Sequence, residues 1–210
     1  MRSSGHVCIV AVVLLLAVVP LGEADAIGGP DTSPSQQFYI KAGVGPSMMY
    51  APGVAGPDGV GIAATLGGGI YSEDGALPGG DVMPVHGAEF NAMYSRVGVP
   101  GDDGGAGDLM GLTGDLRIQP TLGAVKPAAF VGAGFKMIEY HDGPSQHFNP
   151  GMSLRAGVGL DVMLGSVSVG GQFLFSAHQY ARTSGTEPDW IGWGQPVLFG
   201  ALTGHATFFF

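Results

Sequence analysis

Between residues 38 and 210, apolar side chains recur at every second position in eight separate segments: 38–50, 60–71, 85–97, 108–119, 128–140, 152–164, 167–180 and 197–210. A period of two is that of a β-strand, whose successive side chains point to opposite faces. In the first segment Phe38, Ile40, Ala42, Val44 and Met48 alternate with Lys41, Gly43, Gly45 and Ser47. In the sixth, Leu154, Ala156, Val158, Leu160 and Val162 alternate with Ser153, Arg155, Gly157, Gly159 and Asp161. The segments run to about 11–14 residues, longer than the ~5–6 of a soluble strand and enough for the ~9–11 of a tilted transmembrane strand.

The less apolar face decides between a soluble sheet and a membrane barrel. Facing water, it would be rich in Lys, Glu and Thr. Here it is mostly Gly, Ala and Ser with about one charge per strand, which suits the crowded interior of an eight-stranded barrel. The pattern therefore predicts an all-β protein, an eight-stranded antiparallel up-and-down transmembrane β-barrel with its continuous apolar face in lipid. Short connections at 121–126 and 165–166 are expected on the periplasmic side. Longer ones at 51–58, 98–107, 141–151 and 181–195, rich in Gly, Pro and Asp, are expected on the outer side. The connection at 72–84 is long for a periplasmic turn.

The ends of the chain place this barrel. Met1-Arg2, an apolar run over 7–19, and Ala24-Asp25-Ala26 follow the order of a cleavable secretory signal. The run is about 13 residues, short of the ~20 that a membrane-spanning helix needs. The expected organisation is a signal peptide at 1–26, a short periplasmic segment at 27–37 and the barrel at 38–210. The chain finishes on Thr207-Phe208-Phe209-Phe210, as suits a closing strand whose alternate residues meet lipid at an aromatic girdle. Together these point to the bacterial outer membrane of a Gram-negative cell.

Composition narrows the function more than it names it. Glycine accounts for 39 of 210 residues and charged residues for 12%, against about 25% charged in an average domain. The net charge of −9, or −8 once Arg2, Glu23 and Asp25 leave with the signal, argues against nucleic acid as a partner. The single cysteine, Cys8, lies in the signal, so no disulfide is expected in the mature chain.

Two passages carry a family resemblance. Asp115-Leu116-Arg117-Ile118, followed by Lys126-Pro127-Ala128-Ala129-Phe130-Val131-Gly132-Ala133-Gly134-Phe135, is similar to the strand, turn and P-Y-x-G-x-G passage of small outer-membrane β-barrels of the OmpA/OmpX type. Residues 157–165 resemble the next strand and turn of that family. The terminal Phe208-x-Phe210 resembles the signal that the outer-membrane assembly machinery reads. Ala129 stands where the family carries an aromatic, and His205 where it prefers Gly. The resemblance implies the barrel architecture, outer-membrane lipid and the assembly machinery as partners, and no particular activity.

Candidate chemistry lies mostly on the inward face. Lys41, Glu89, Asp115, Arg117, Lys136, Arg155 and Asp161 are expected to form a network of salt bridges filling the lumen, because isolated charges there would be costly. The same residues read alternatively as the lining of a narrow, porin-like channel for small solutes. A lipid-modifying barrel enzyme is a third reading, resting on Ser176 and His178 near the outer end of one strand. The His-x-Ser signature of such enzymes is absent, since Gln179-Tyr180 follows His178, and no catalytic residue is assigned. The acidic stretch 101–108 lacks the regular spacing of a calcium loop. His141 and His147 have no evident third ligand, so neither a metal nor a cofactor is expected. Trp190 and Trp193, in the last outer connection, are candidates for an interfacial anchor or a surface-interaction patch.

Overall fold

In a computed structural model of the chain, the residues described are 36–51, 59–72, 86–98, 106–120, 122, 124–142, 145–181 and 196–210. The expected signal segment, most of the acidic stretch at 101–108, Trp190 and Trp193 lie outside them. Eight strands follow in chain order: β1 (Gln36–Tyr50), β2 (Gly59–Ser72), β3 (Gly87–Gly98), β4 (Ala106–Ile118), β5 (Val125–Asp142), β6 (Ser145–Leu164), β7 (Val167–Tyr180) and β8 (Val197–Phe209). Each pairs antiparallel with the next, and β1 pairs with β8 to close the barrel. The fold class read from the hydrophobic pattern is the one the chain adopts.

The side chains divide by parity. Even-numbered residues of β1 and β3, such as Val44 and Phe90, point outward, and their odd-numbered neighbours point in. Phe90 is 80% exposed, Val60 72%, Phe135 70% and Leu154 70%. An exterior of this kind has no counterpart on a soluble domain, whose apolar patches are small. A hydrocarbon surrounding is its natural solvent, and closure leaves no strand edge unpaired there.

The turns match their backbone requirements. Leu164 pairs with Val167 across Gly165-Ser166, and Gly165 takes a positive φ of 74°. A glycine at the first central position is what a two-residue type II′ hairpin needs. The terminal aromatics take part in closure: Phe38 and Phe210 exchange backbone hydrogen bonds of 3.1 and 2.9 Å, and their rings stack at 6.4 Å. The β1–β8 ladder runs from Tyr39 to Val44, lapses at Gly45 and Pro46, and resumes at Ser47. Proline has no N–H to donate, so a lapse beside Pro46 is the expected cost.

Two expectations are corrected. The stretch 141–151 reads from the sequence as an outer loop, but 141–142 belong to β5 and only 143–144 lie between the strands. Residues 145–151 belong to β6, because the β5–β6 hairpin extends to an Asp142–Ser145 pair. The period-two pattern weakens there (Asn149, Pro150 and Gly151 interrupt it), so pairing with β5 decides the assignment. The interior is also not uniformly small and polar. Met49, Val97, Leu109, Ile138, Leu174, Tyr180, Val197 and Phe199 are buried inside. They cluster toward the end of the barrel that holds Tyr50 and Tyr180, while Lys41, Glu89, Asp115, Arg117, Arg155 and Asp161 lie toward the end that holds Phe209.

Candidate functional site: the barrel interior

The lower lumen holds a network in which every carboxylate receives several donors. Glu89 of β3 accepts Lys41 Nζ at 2.5 Å and Tyr39 Oη at 2.7 Å, with Arg117 at 3.5 Å. Asp115 of β4 accepts Arg155 Nε at 2.6 Å and the Arg155 terminal nitrogen on its other oxygen. It also accepts Asn91 Nδ2 at 2.8 Å. Asp161 of β6 accepts Gln119 Nε2 at 2.7 Å and lies 2.6 Å from His205 Nε2 and 3.6 Å from Arg117. Lys41 also reaches Gln172 Oε1 at 3.4 Å. All six charged side chains are buried, and their charges balance.

Three of the contacts each skip one strand. Lys41 to Glu89 joins β1 to β3, Arg155 to Asp115 joins β6 to β4, and His205 to Asp161 joins β8 to β6. In three cases the strand between the partners contributes a glycine on the same rung. Gly132 pairs with both Asp115 and Arg155. Gly170 pairs with both Asp161 and His205. Gly69 pairs with both Tyr39 and Glu89. A Cβ built at Gly132 would collide with the Asp115 carboxylate, and one at Gly170 with that of Asp161. The inward glycines let side chains two strands apart meet across the barrel wall.

Below the acids, Lys126 lies over the Tyr71 ring at 4.6 Å and near Phe209 at 6.0 Å. Phe130 lies beneath two guanidinium groups, Arg117 at 5.8 Å and Arg155 at 5.6 Å. Such faces partner cations without adding charge.

Lys136 stands apart from the other six residues singled out in the sequence. It is inward and 2% exposed, but it belongs to the outer half. Its Nζ lies 3.5 Å from Ser176 Oγ, 3.7 Å from Met93 Sδ and 5.1 Å from the Phe199 ring centre. Ser176 Oγ lies 2.6 Å from His178 Nε2, whose Nδ1 lies 2.8 Å from Tyr180 Oη. Ser176 and His178 are thus in contact, but both are fully buried in the lumen, away from the lipid-facing surface. His147 is stacked on Tyr140 at 5.0 Å, and the His141 side chain lies outside the described residues. Among the described residues no group of three His, Cys, Asp or Glu could hold a metal.

Tyr39, Asn91, Gln119, Lys126, Gln172 and His205 belong to this interior without having been singled out from the sequence. Most share the inward parity, so alternation alone could have found them; Lys126 precedes the expected start of its strand. An exterior hollow of about 460 Å³ lies on the apolar face beside the Pro46 lapse, around Gly200 and between Phe175, Tyr50 and Val60.

The same barrel recurs in solved structures. Neisserial surface protein A superposes with a TM-score of 0.61 at 14% sequence identity, over 84% of this chain and 99% of that one. Ail, the attachment invasion locus protein of Yersinia pestis, crystallised with the heparin analogue sucrose octasulfate, superposes with a TM-score of 0.51 at 14% identity. The overlap again covers 84% of this chain and 99% of that one. No protein-family model and no curated protein matches the sequence. The fold is therefore that of the small eight-stranded outer-membrane β-barrels, the architecture that the resemblance to the OmpA/OmpX type implied.

Proposed function

We propose that the protein resides in the bacterial outer membrane as a non-enzymatic β-barrel with a structural or surface-interaction role, its lumen closed by the charge network. The observation that carries this reading is the way the charge pairs are joined into one network: Arg117 lies 3.5 Å from Glu89 of β3 and 3.6 Å from Asp161 of β6, and Lys41 of β1 bonds Glu89 and reaches Gln172 of β7 at 3.4 Å. A solute path through this layer would have to break buried, multiply bonded charge pairs. The exposed apolar exterior supports lipid as the surrounding medium, and Phe208 and Phe210 support recognition by the outer-membrane assembly machinery. The heparin analogue bound by Ail is a polyanion. The acidic outer connections of this chain, with Asp58, Asp102, Asp103, Glu187 and Asp189, disfavour a polyanion as its partner.

Planar-bilayer conductance of the refolded mature protein tests the closed lumen, and fractionation tests the location. The expected results are little steady conductance and recovery with outer membranes. A large, steady conductance would establish the narrow-channel reading instead, and recovery as a soluble periplasmic protein would defeat both.

A further inference from the structure

Lys136 stands outside the lower network. Lys136 is buried, and among the described residues no carboxylate pairs with it. An ammonium carries three donors. Those of Lys136 meet one hydroxyl at 3.5 Å, a thioether at 3.7 Å and an aromatic face at 5.1 Å. None of these neutralises a charge, and an unpaired buried charge is among the most costly arrangements a fold can hold.

The wall around Lys136 is built to admit it. Its rung partners on both sides are glycines, Gly111 of β4 and Gly151 of β6. A Cβ at Gly111 would come within 2.7 Å of Lys136 Cγ. Hydroxyls gather on the same inner face. Ser176 touches the ammonium, and Ser153, two residues from Gly151 on β6, pairs on its rung with His178. Ser153 Oγ is buried and makes no hydrogen bond. Leu109 and Ile138 pair one inward rung above Lys136, and with Val197 and Tyr180 they belong to the buried apolar cluster.

We propose that Lys136, with Ser176 and Ser153, holds a small monovalent inorganic anion of the halide kind in the outer half of the lumen. One lysine supplies one charge, so a monovalent anion balances it, whereas a phosphate or sulfate would leave negative charge over among apolar side chains. A monatomic ion also needs no shaped pocket. It would give Lys136 its missing counter-charge beside Ser176, which also engages His178, and Ser153 Oγ, buried with no hydrogen bond, is a hydroxyl left to donate.

The test is the apparent unfolding temperature of the detergent-refolded mature protein, titrated with sodium chloride against sodium gluconate at constant ionic strength. Bromide soaks of crystals, read by anomalous scattering, supply the location. A ligand that binds only the folded state raises the transition as its concentration exceeds its dissociation constant. At roughly a hundredfold excess the expected rise is about 5–10 °C for a chain of this size. Lys136→Met should abolish the chloride dependence, and bromide should appear at Lys136 Nζ. Should Lys136→Met fail to fold, Ser176→Ala keeps the charge and should require several-fold more chloride for the same rise. Equal wild-type stability in chloride and gluconate, an undiminished rise in Lys136→Met, an unchanged chloride midpoint in Ser176→Ala, or no bromide beside Lys136 would each overturn the site.

Discussion

Arg155 and Asp115 meet across a strand that belongs to neither of them. Asp115 lies on β4 and Arg155 on β6, and the residue on their shared rung of β5 is Gly132. The guanidinium engages both carboxylate oxygens, a bidentate geometry that is among the strongest side-chain pairings. The missing side chain at Gly132 is what makes the pairing possible. Gly170, between Asp161 and His205, repeats the arrangement.

Substituting these glycines should therefore damage the network without altering a charge. Gly132→Ala and Gly170→Ala should each lower stability in detergent by about 1–3 kcal/mol, the usual range for forcing an extra carbon into a packed interior. Gly200→Ala is the control, because a Cβ there would find its nearest neighbour, Leu174 O, at 3.9 Å on the open exterior. Urea midpoints of the refolded variants would decide the matter; equal midpoints for Gly132→Ala and Gly200→Ala would remove the glycine argument.

Removing an acid should cost more than removing a lipid-facing methyl group. Glu89→Ala leaves Lys41, Tyr39 and Arg117 without their shared acceptor. Losing one partner of a buried pair typically costs ~3–5 kcal/mol. Arg155→Ala should behave similarly by stranding Asp115. Val158→Ala, at an outward position that is 59% exposed, should lower the urea midpoint of the refolded protein far less. A Val158→Ala loss as large as that of Glu89→Ala would mean that the charges do not hold the lumen together.

The lapse in the closing seam should be repairable. Pro46 offers no N–H, and the β1–β8 ladder is interrupted beside it. Pro46→Val supplies a donor and a β-branched side chain suited to an outward strand position. One added ladder bond is worth about 0.5–1.5 kcal/mol, so the variant should unfold at higher urea. A lower midpoint would show that the fixed backbone of proline matters more here than the missing bond.

The terminal aromatics should govern assembly. Deleting Phe208–Phe210 removes the backbone exchange between Phe38 and Phe210 and the last rungs of the seam, leaving an open edge that lipid does not tolerate. Insertion into outer membranes, followed by protease protection, should fall sharply for the truncated chain. Replacing Trp190 should leave insertion intact. Equal insertion of truncated and full-length chains would show that the seam closes without its final strand residues.

Strand number, the inward and outward faces, the closed topology and the inward parity of Lys41, Glu89, Asp115, Arg117, Lys136, Arg155 and Asp161 were all legible in the alternation. A period of two is a local property, fixed by backbone geometry and by the demand that one face meet lipid. The rungs were not legible, because register between strands depends on which residues end up side by side. Only in the closed barrel do Gly132 and Gly170 fall between the partners they allow to meet, and only there does Lys136 separate from the six charges it resembles in sequence. The extended β5–β6 hairpin is a tertiary outcome for the same reason: Asn149, Pro150 and Gly151 break the local pattern, and cross-strand bonds to β5 carry the strand through it. Sequence set which face each residue occupies; the tilt and register of the closed sheet set its height in the lumen, and with it which charges find a partner.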